Sequence, residues 1–238
     1  MKVRLCLSVL LFACKLKLRP HYMPRLQRLP ESNVEYVYGI FLLTEKHKLI
    51  RALKKVHQPS VHGTRTWGSA FLTMDYLTHN PIVKGCSVLD LGCGWGAASV
   101  FCAHKFKAKV TAVDLDSAVF PFLNVFAEIN SVEVKTRKAD FAKLKGPDLG
   151  KHQVILGSDI CFWDSLVDPL VNMVNRAIKN GVERIIIADP GRPTFYEFCD
   201  KVSAKHKVSL QEWYSVEPDR AIGEIVEIRP LKKVRKSK

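Results

Sequence analysis

The run Val154-Ile-Leu-Gly-Ser-Asp-Ile-Cys-Phe-Trp-Asp164 delivers an acid, Asp159, followed closely by two aromatic rings, Phe162 and Trp163. A carboxylate between aromatic walls suits a cationic or amine ligand. The acid holds it by charge-assisted hydrogen bonding and the rings by cation–π contact. Plainer roles stay open: Asp159 can cap the next helix or fix a strand-end loop, and Phe162 can pack in the core. A second segment, Val88 to Phe101 (VLDLGCGWGAASVF), sets Gly92, Gly94 and Gly96 straight after an apolar run, with Cys93 inside the same turn. Glycine lets the chain take positive φ and lets a ligand approach the main chain. The helix that follows offers unpaired N–H groups to that ligand. A G-x-G-x-G turn serves a dinucleotide, a flavin or S-adenosylmethionine, so the rest of the chain has to choose.

Asp114 closes the run Lys-Val-Thr-Ala-Val-Asp, 18 residues beyond Gly96. An acid there can accept both ribose hydroxyls of an adenosyl group laid across the glycine turn. Asp116 is a rival for that role, or a helix cap. Asp90, just ahead of the glycines, can orient the turn, reach the ligand's amino group through water, or simply fix local backbone. Asp140 and Phe141 follow the third strand-like run. There Asp140 can accept from an adenine amine while Phe141 packs on the ring; a surface acid beside a core aromatic is the alternative. Ala188-Asp-Pro-Gly-Arg-Pro193 offers Asp189 and Arg192 either to a substrate or to a tight turn. No Cys/His or Ser/His/Asp set stands at catalytic spacing. His62, His79 and His104 occur singly and read as surface or structural groups.

Elements must position these residues. Strands are expected at 86–91, 109–113, 132–136, 153–158 and 183–189, with helices at about 96–105, 117–130, 165–180 and 194–205. That alternation implies βαβ units on a parallel sheet with helices on both faces. Lys207 to Val216 and Gly223 to Arg229 then read as two strands with no helix between them, and a short loop joins strands only as an antiparallel pair. The expected fold is α/β and Rossmann-like: five parallel strands plus a C-terminal antiparallel hairpin. A dinucleotide-binding Rossmann domain would instead keep a sixth parallel strand. Ahead of the sheet, helices are expected at 44–56 and 69–78, separated by a loop over 57–68.

The chain has 238 residues and a formal charge of +14. Residues 1–30 carry seven basic groups and residues 229–238 six more, with no acid in either segment, which leaves 31–228 at about +1. A basic binding face on the domain is therefore not implied, although the tails could touch RNA or another acidic partner. The expected organisation is an N-terminal extension and linker over 1–36, a domain over 37–229, and a basic tail over 230–238. Leu5 to Cys14 imitates a signal peptide but is too short to span a bilayer. A mitochondrial presequence or a start at Met23 fit it as well. The seven cysteines form no C-x-x-C pair and lack zinc spacing, so no metal site is expected. They read as buried thiols in a reducing compartment, and a cytoplasmic monomer is expected.

Three blocks together resemble one family: Trp67-Gly-Ser-Ala-Phe-Leu-Thr-Met-Asp-Tyr-Leu77, Val88-Leu-Asp-Leu-Gly-Cys-Gly-Trp-Gly96 and Leu156-Gly-Ser-Asp-Ile-Cys-Phe-Trp163. The chain is similar, from about Tyr38 to Arg229, to the methyltransferase-like protein-lysine methyltransferases of class I and to their bacterial relatives. The resemblance implies S-adenosylmethionine as cofactor. It implies that Trp67 lines the cofactor pocket, that the glycine turn is Gly92, Gly94 and Gly96, and that Asp114 is the ribose acid. It also assigns Phe141 to the adenine side and Ser158 to the small residue before the motif acid. Lysine-specific members carry D-x-x-Y, where this chain has Asp159-Ile-Cys-Phe162, so a polar contact near the acceptor nitrogen is missing. The expected function is N-methylation of a protein side chain, a lysine-type amine. A same-fold methyltransferase of a small molecule or RNA is the alternative, and a nucleotide-binding oxidoreductase or non-catalytic module the third.

Overall fold

The structure is a computed structural model and describes residues 32–60 and 62–231. The signal-like run Leu5 to Cys14, most of the N-terminal extension and Lys232 to Lys238 lie outside the described residues.

The chain opens with an antiparallel hairpin, β1 (Val34–Val37) and β2 (Ile40–Leu43), which was not expected from the sequence. It straddles the boundary drawn between residues 36 and 37. Asn130 anchors it: the side-chain amide donates to Phe41 O and the side-chain oxygen accepts from Phe41 N. Helix α1 (Lys48–Val56) follows, four residues shorter at its start than expected because His47 caps it, accepting from Leu49 N–H. Helix α2 (Gly68–His79) then leads into the main sheet.

That sheet holds β3 (Ser87–Leu91), β4 (Lys109–Asp114), β5 (Lys135–Lys138), β6 (Val154–Ser158), β7 (Arg184–Asp189), β8 (Lys207–Ser215) and β9 (Ala221–Arg229). Their order is β5-β4-β3-β6-β7-β9-β8. The first five run parallel, and β9 enters antiparallel between β7 and β8. The five-plus-hairpin layout is as expected. The connecting helices are α3 (Ala97–Phe106), α4 (Phe120–Ile129), the short α5 (Gly146–Leu149), α6 (Val167–Lys179) and α7 (Pro193–Ser203).

One strand is displaced. The third was expected at 132–136 because of Val132 and Val134, yet β5 spans Lys135–Lys138 and all four residues are exposed. Val132 is held instead by Ala127 O at the end of α4, and both valines pack on the core from outside the ladder. A charged edge strand resists pairing with other chains.

Side chains of the central strands alternate between two cores, as a period of two requires. Val88, Val154, Leu156, Ile186 and Ala188 face the layer of α2, α3 and α4, whereas Leu89, Ile155, Ile185 and Ile187 face α6 and α7. With both faces covered, the carboxyl ends of β3 and β6 remain the accessible place for a ligand. The sheet order turns in opposite directions there, which is where open α/β sheets bind ligands. No helix among the described residues is long and apolar enough to cross a membrane.

Candidate active site

Gly92, Gly94 and Gly96 all sit at positive φ, at 60°, 51° and 77°. They do different jobs. A Cβ on Gly96 would lie 2.4 Å from Leu123 Cγ, so this glycine lets α4 press against the turn while it caps α3. A Cβ on Gly92 would meet Ile160 at 2.8 Å, whereas one on Gly94 would meet nothing within 4 Å. Gly94 is therefore where the main chain lies open to a ligand. Trp95, buried between them, stacks on Phe122 at 4.7 Å and donates its indole N–H to Gly63 O at 2.9 Å.

Two acids brace the turn. Asp114 ends β4 and accepts from Gly94 N–H with Oδ2 and from Asp116 N–H with Oδ1, each at 3.0 Å. Burial raises its pKa, and the amides of Asp116 and Gly94 only partly offset that. Asp90 is 2% exposed and accepts from Ser99 Oγ at 2.6 Å, in the first turn of α3. Burial pushes it up to about 7; the Ser99 hydrogen bond opposes the rise and the nearby charge of Asp114 adds to it. Asp116 takes a third job. It caps the 3-10 turn at Ser117–Val119 through Ala118 N–H and accepts from Ser60 N and Ser60 Oγ, tying the 57–67 loop to the end of β4.

A cleft opens between this turn, the start of α2 and the end of β6. It is lined by Trp67, Asp90, Gly92, Cys93, Gly94, Gly96 and Ser158, all expected at the site. Trp67 precedes the first residue of α2, and its indole N–H donates to His62 O at 2.6 Å. Ser158 Oγ shares a 2.8 Å hydrogen bond with Thr73 Oγ1 of α2. The Cys93 thiol is pushed well above its ordinary pKa, chiefly by burial and then by Asp90 and Asp114, so it lines the wall as a neutral group. The cleft also takes in Arg65, whose guanidinium lies 4.1 Å from the Trp67 ring centroid. Sequence reasoning missed Arg65 because 57–68 carries no periodicity to say which of its side chains turn inward.

Asp159, expected either to hold an amine or to serve a helix cap or strand-end loop, is engaged by the protein itself. It holds a left-handed backbone, φ 63°, and its Oδ1 is ion-paired with Arg192 Nη1. Arg192 also reaches the fully buried Asp189 Oδ2 at 2.8 Å, and Asp189 Oδ1 accepts the N–H groups of Gly191 and Arg192. Of the two roles open to 188–193, the tight turn is the one seen. Phe162 is half-buried and Trp163 is 50% exposed. They meet edge to face at 4.7 Å, and His62 joins them with its ring 4.8 Å from Phe162 and 5.9 Å from Trp67. An aromatic mouth thus links the cleft wall to the loop after β6.

Asp140 and Phe141 are not brought to the cleft wall. Asp140 caps a 3-10 turn through Ala142 N–H, and Phe141 packs against the core under α6. The plainer reading of both fits this geometry, because the Asp140 carboxylate is engaged by the Ala142 amide and Phe141 is held by the core. Cys86, Cys93, Cys102, Cys161 and Cys199 are free thiols, and no His/Cys/Asp/Glu group among the described residues could hold a metal ion.

Residues 88–181 match a family described as a methyltransferase domain. Over 130 residues the chain is 31% identical to the electron transfer flavoprotein beta subunit lysine methyltransferase of Xenopus laevis, covering 54% of this chain and 52% of that protein. Over 162 residues it is 30% identical to a ribosomal protein L11 methyltransferase of Thermosipho melanesiensis, covering 66% and 59%. The chain spans about half the length of the curated relatives it matches. A putative RNA methyltransferase from Pyrococcus horikoshii shares the fold with TM-score 0.53 at 17% identity, over 79% of this chain and 98% of that one.

Proposed function

We propose that the protein is an S-adenosylmethionine-dependent N-methyltransferase acting on a lysine-type amine of a protein, a reading supported by the methyltransferase-domain match over residues 88–181 and by the similarity to a protein-lysine methyltransferase. The observation that carries this reading is the cleft at the carboxyl ends of β3 and β6, with the glycine turn on one side and aromatic rings at its mouth.

The donor set in the cleft fits such a cofactor. Gly94 leaves main chain open and Arg65 supplies a cation suited to a carboxylate, while Asp114 lies behind the lining, bonded to Gly94 N–H, as a carboxylate suited to vicinal hydroxyls. Trp67 and the small residues Ala97 and Ala98 give the cavity apolar surface. When bound, S-adenosylmethionine supplies an electrophilic methyl carbon. The protein's own part is to bind, align and keep water away, since in-line transfer to a neutral amine needs little else. Phe162, Trp163 and His62 form the surface that an incoming amine crosses, and rings suit a cationic side chain. The named substrates of the relatives, a flavoprotein subunit and a ribosomal protein, support a protein acceptor.

Incubation with tritiated S-adenosylmethionine and host lysate tests the proposal. Label is expected on protein, lost with protease and retained with RNase, and recovered as methylated lysine after hydrolysis. Label lost to RNase, or confined to small molecules, would overturn it.

A further inference from the structure

We propose that His62 accepts the proton of the acceptor amine at the mouth of the cleft. This rests on the protein-amine reading above. An ammonium has no lone pair to donate, and with an ordinary lysine pKa near 10.4 roughly one side chain in 2,500 is neutral at pH 7. A base at the mouth makes the bound amine competent. The N–H bond of the ammonium breaks, its electron pair stays on nitrogen, and the proton passes to an imidazole nitrogen. The neutral amine then carries the lone pair that forms the new C–N bond, and the imidazolium gives its proton to water.

Several other titratable groups around the cleft are engaged within the fold, and the exposed Asp164 follows Trp163 on the solvent side. Asp159 is paired with Arg192, and Asp189 holds Arg192 and two amides. Asp90 accepts from Ser99 in the interior, and Asp114 accepts from Gly94 and Asp116. The Cys93 thiol is held protonated by burial. A neutral imidazole keeps one ring nitrogen as an acceptor, which suits a proton acceptor there.

The position of His62 is built rather than incidental. Its backbone is left-handed, φ 62°, a conformation that costs a β-carbon residue about 1 kcal/mol and persists where surroundings enforce it. The indole of Trp67 fixes its carbonyl, and the next residue, Gly63, is fixed by the indole of Trp95. Its ring lies against Phe162 at 4.8 Å, Trp67 at 5.9 Å and Trp163 at 6.3 Å. The residue is exposed, so the proton has a route to water. Charged groups on the segments its ring meets include Arg65, stacked on Trp67, and the exposed Asp164 next in the chain to Trp163, and Asp116 holds Ser60 two residues before His62.

Two variants separate proton transfer from packing. His62→Phe keeps an aromatic ring without a proton-accepting nitrogen, and His62→Asn removes the ring. The probes are S-adenosylhomocysteine in calorimetry and tritium transfer to host-lysate protein followed across pH 6 to 10. Affinity for S-adenosylhomocysteine is expected within about twofold of wild type. Methyl transfer at pH 7 should fall about a hundredfold in both variants, and the deficit should narrow above pH 9 as water deprotonates the amine. A loss equal at every pH, or one rescued by phenylalanine, would make His62 a packing residue and overturn the inference. So would full activity in both variants. Wild-type protein that labels no amine overturns the protein-amine reading, and this inference with it.

Discussion

Asp90→Asn should make the protein less sensitive to rising pH. Asp90 is 2% exposed, receives one hydrogen bond from a side chain, Ser99 Oγ, and has a pKa raised from 3.8 to about 7, first by burial. The folded state therefore keeps this proton to about pH 7, while the unfolded chain releases it near 3.8. Between those values the unfolded state binds fewer protons, so the carboxyl group costs stability as pH rises. Integrated from pH 5 to pH 8, that cost is about 2.5 kcal/mol. Asparagine has no such titration. Its oxygen can still accept from Ser99, while its NH2 group needs a new partner at a cost of about 1–2 kcal/mol that does not vary with pH. Urea unfolding of both proteins at pH 5 and pH 8 isolates the titration, because the fixed cost cancels in the difference of differences. The variant should gain about 2.5 kcal/mol relative to wild type over that interval. Parallel pH curves would show that Asp90 is ionised throughout, and would refute the argument from burial.

Asp114→Ala removes the acceptor of the Gly94 and Asp116 amides, so cofactor affinity should fall about a hundredfold in calorimetry; a loss under threefold would mean another acid holds the ribose. The glycines should separate by role. Gly96→Ala places a Cβ 2.4 Å from Leu123 and should cost over ~3 kcal/mol in urea unfolding, whereas Gly94→Ala, facing open space, should cost about 1 kcal/mol and chiefly weaken cofactor binding. Equal losses of stability would refute that division. Asp159→Asn leaves Arg192 with one carboxylate partner instead of two beside the mouth. Methyl transfer is expected to fall about tenfold with cofactor affinity unchanged; a fall of a hundredfold or more would return a direct role to the carboxylate.

The alternation of apolar strands and helices, the glycine turn and the helix-free C-terminal segment were enough to read the sheet and its antiparallel end from the sequence. Those features are local: strand period, turn chemistry and loop length act over a few residues and need no partner. The three glycines were legible for the same reason, whereas Trp67 and Ser158 were assigned by the family resemblance of the blocks that contain them. What needed the tertiary structure was every role set by a distant partner. Asp159 is an ion-pair member only because Arg192 folds back onto it from the turn after β7. The hairpin at Val34–Leu43 depends on Asn130, 89 residues from Phe41. His62 was dismissed as an isolated histidine, and its ring is brought to the mouth by indoles at Trp67 and Trp95 and by aromatics after β6. Sequence spacing reports what neighbours along the chain can do, whereas a charge or a ring takes its function from whatever packing puts beside it.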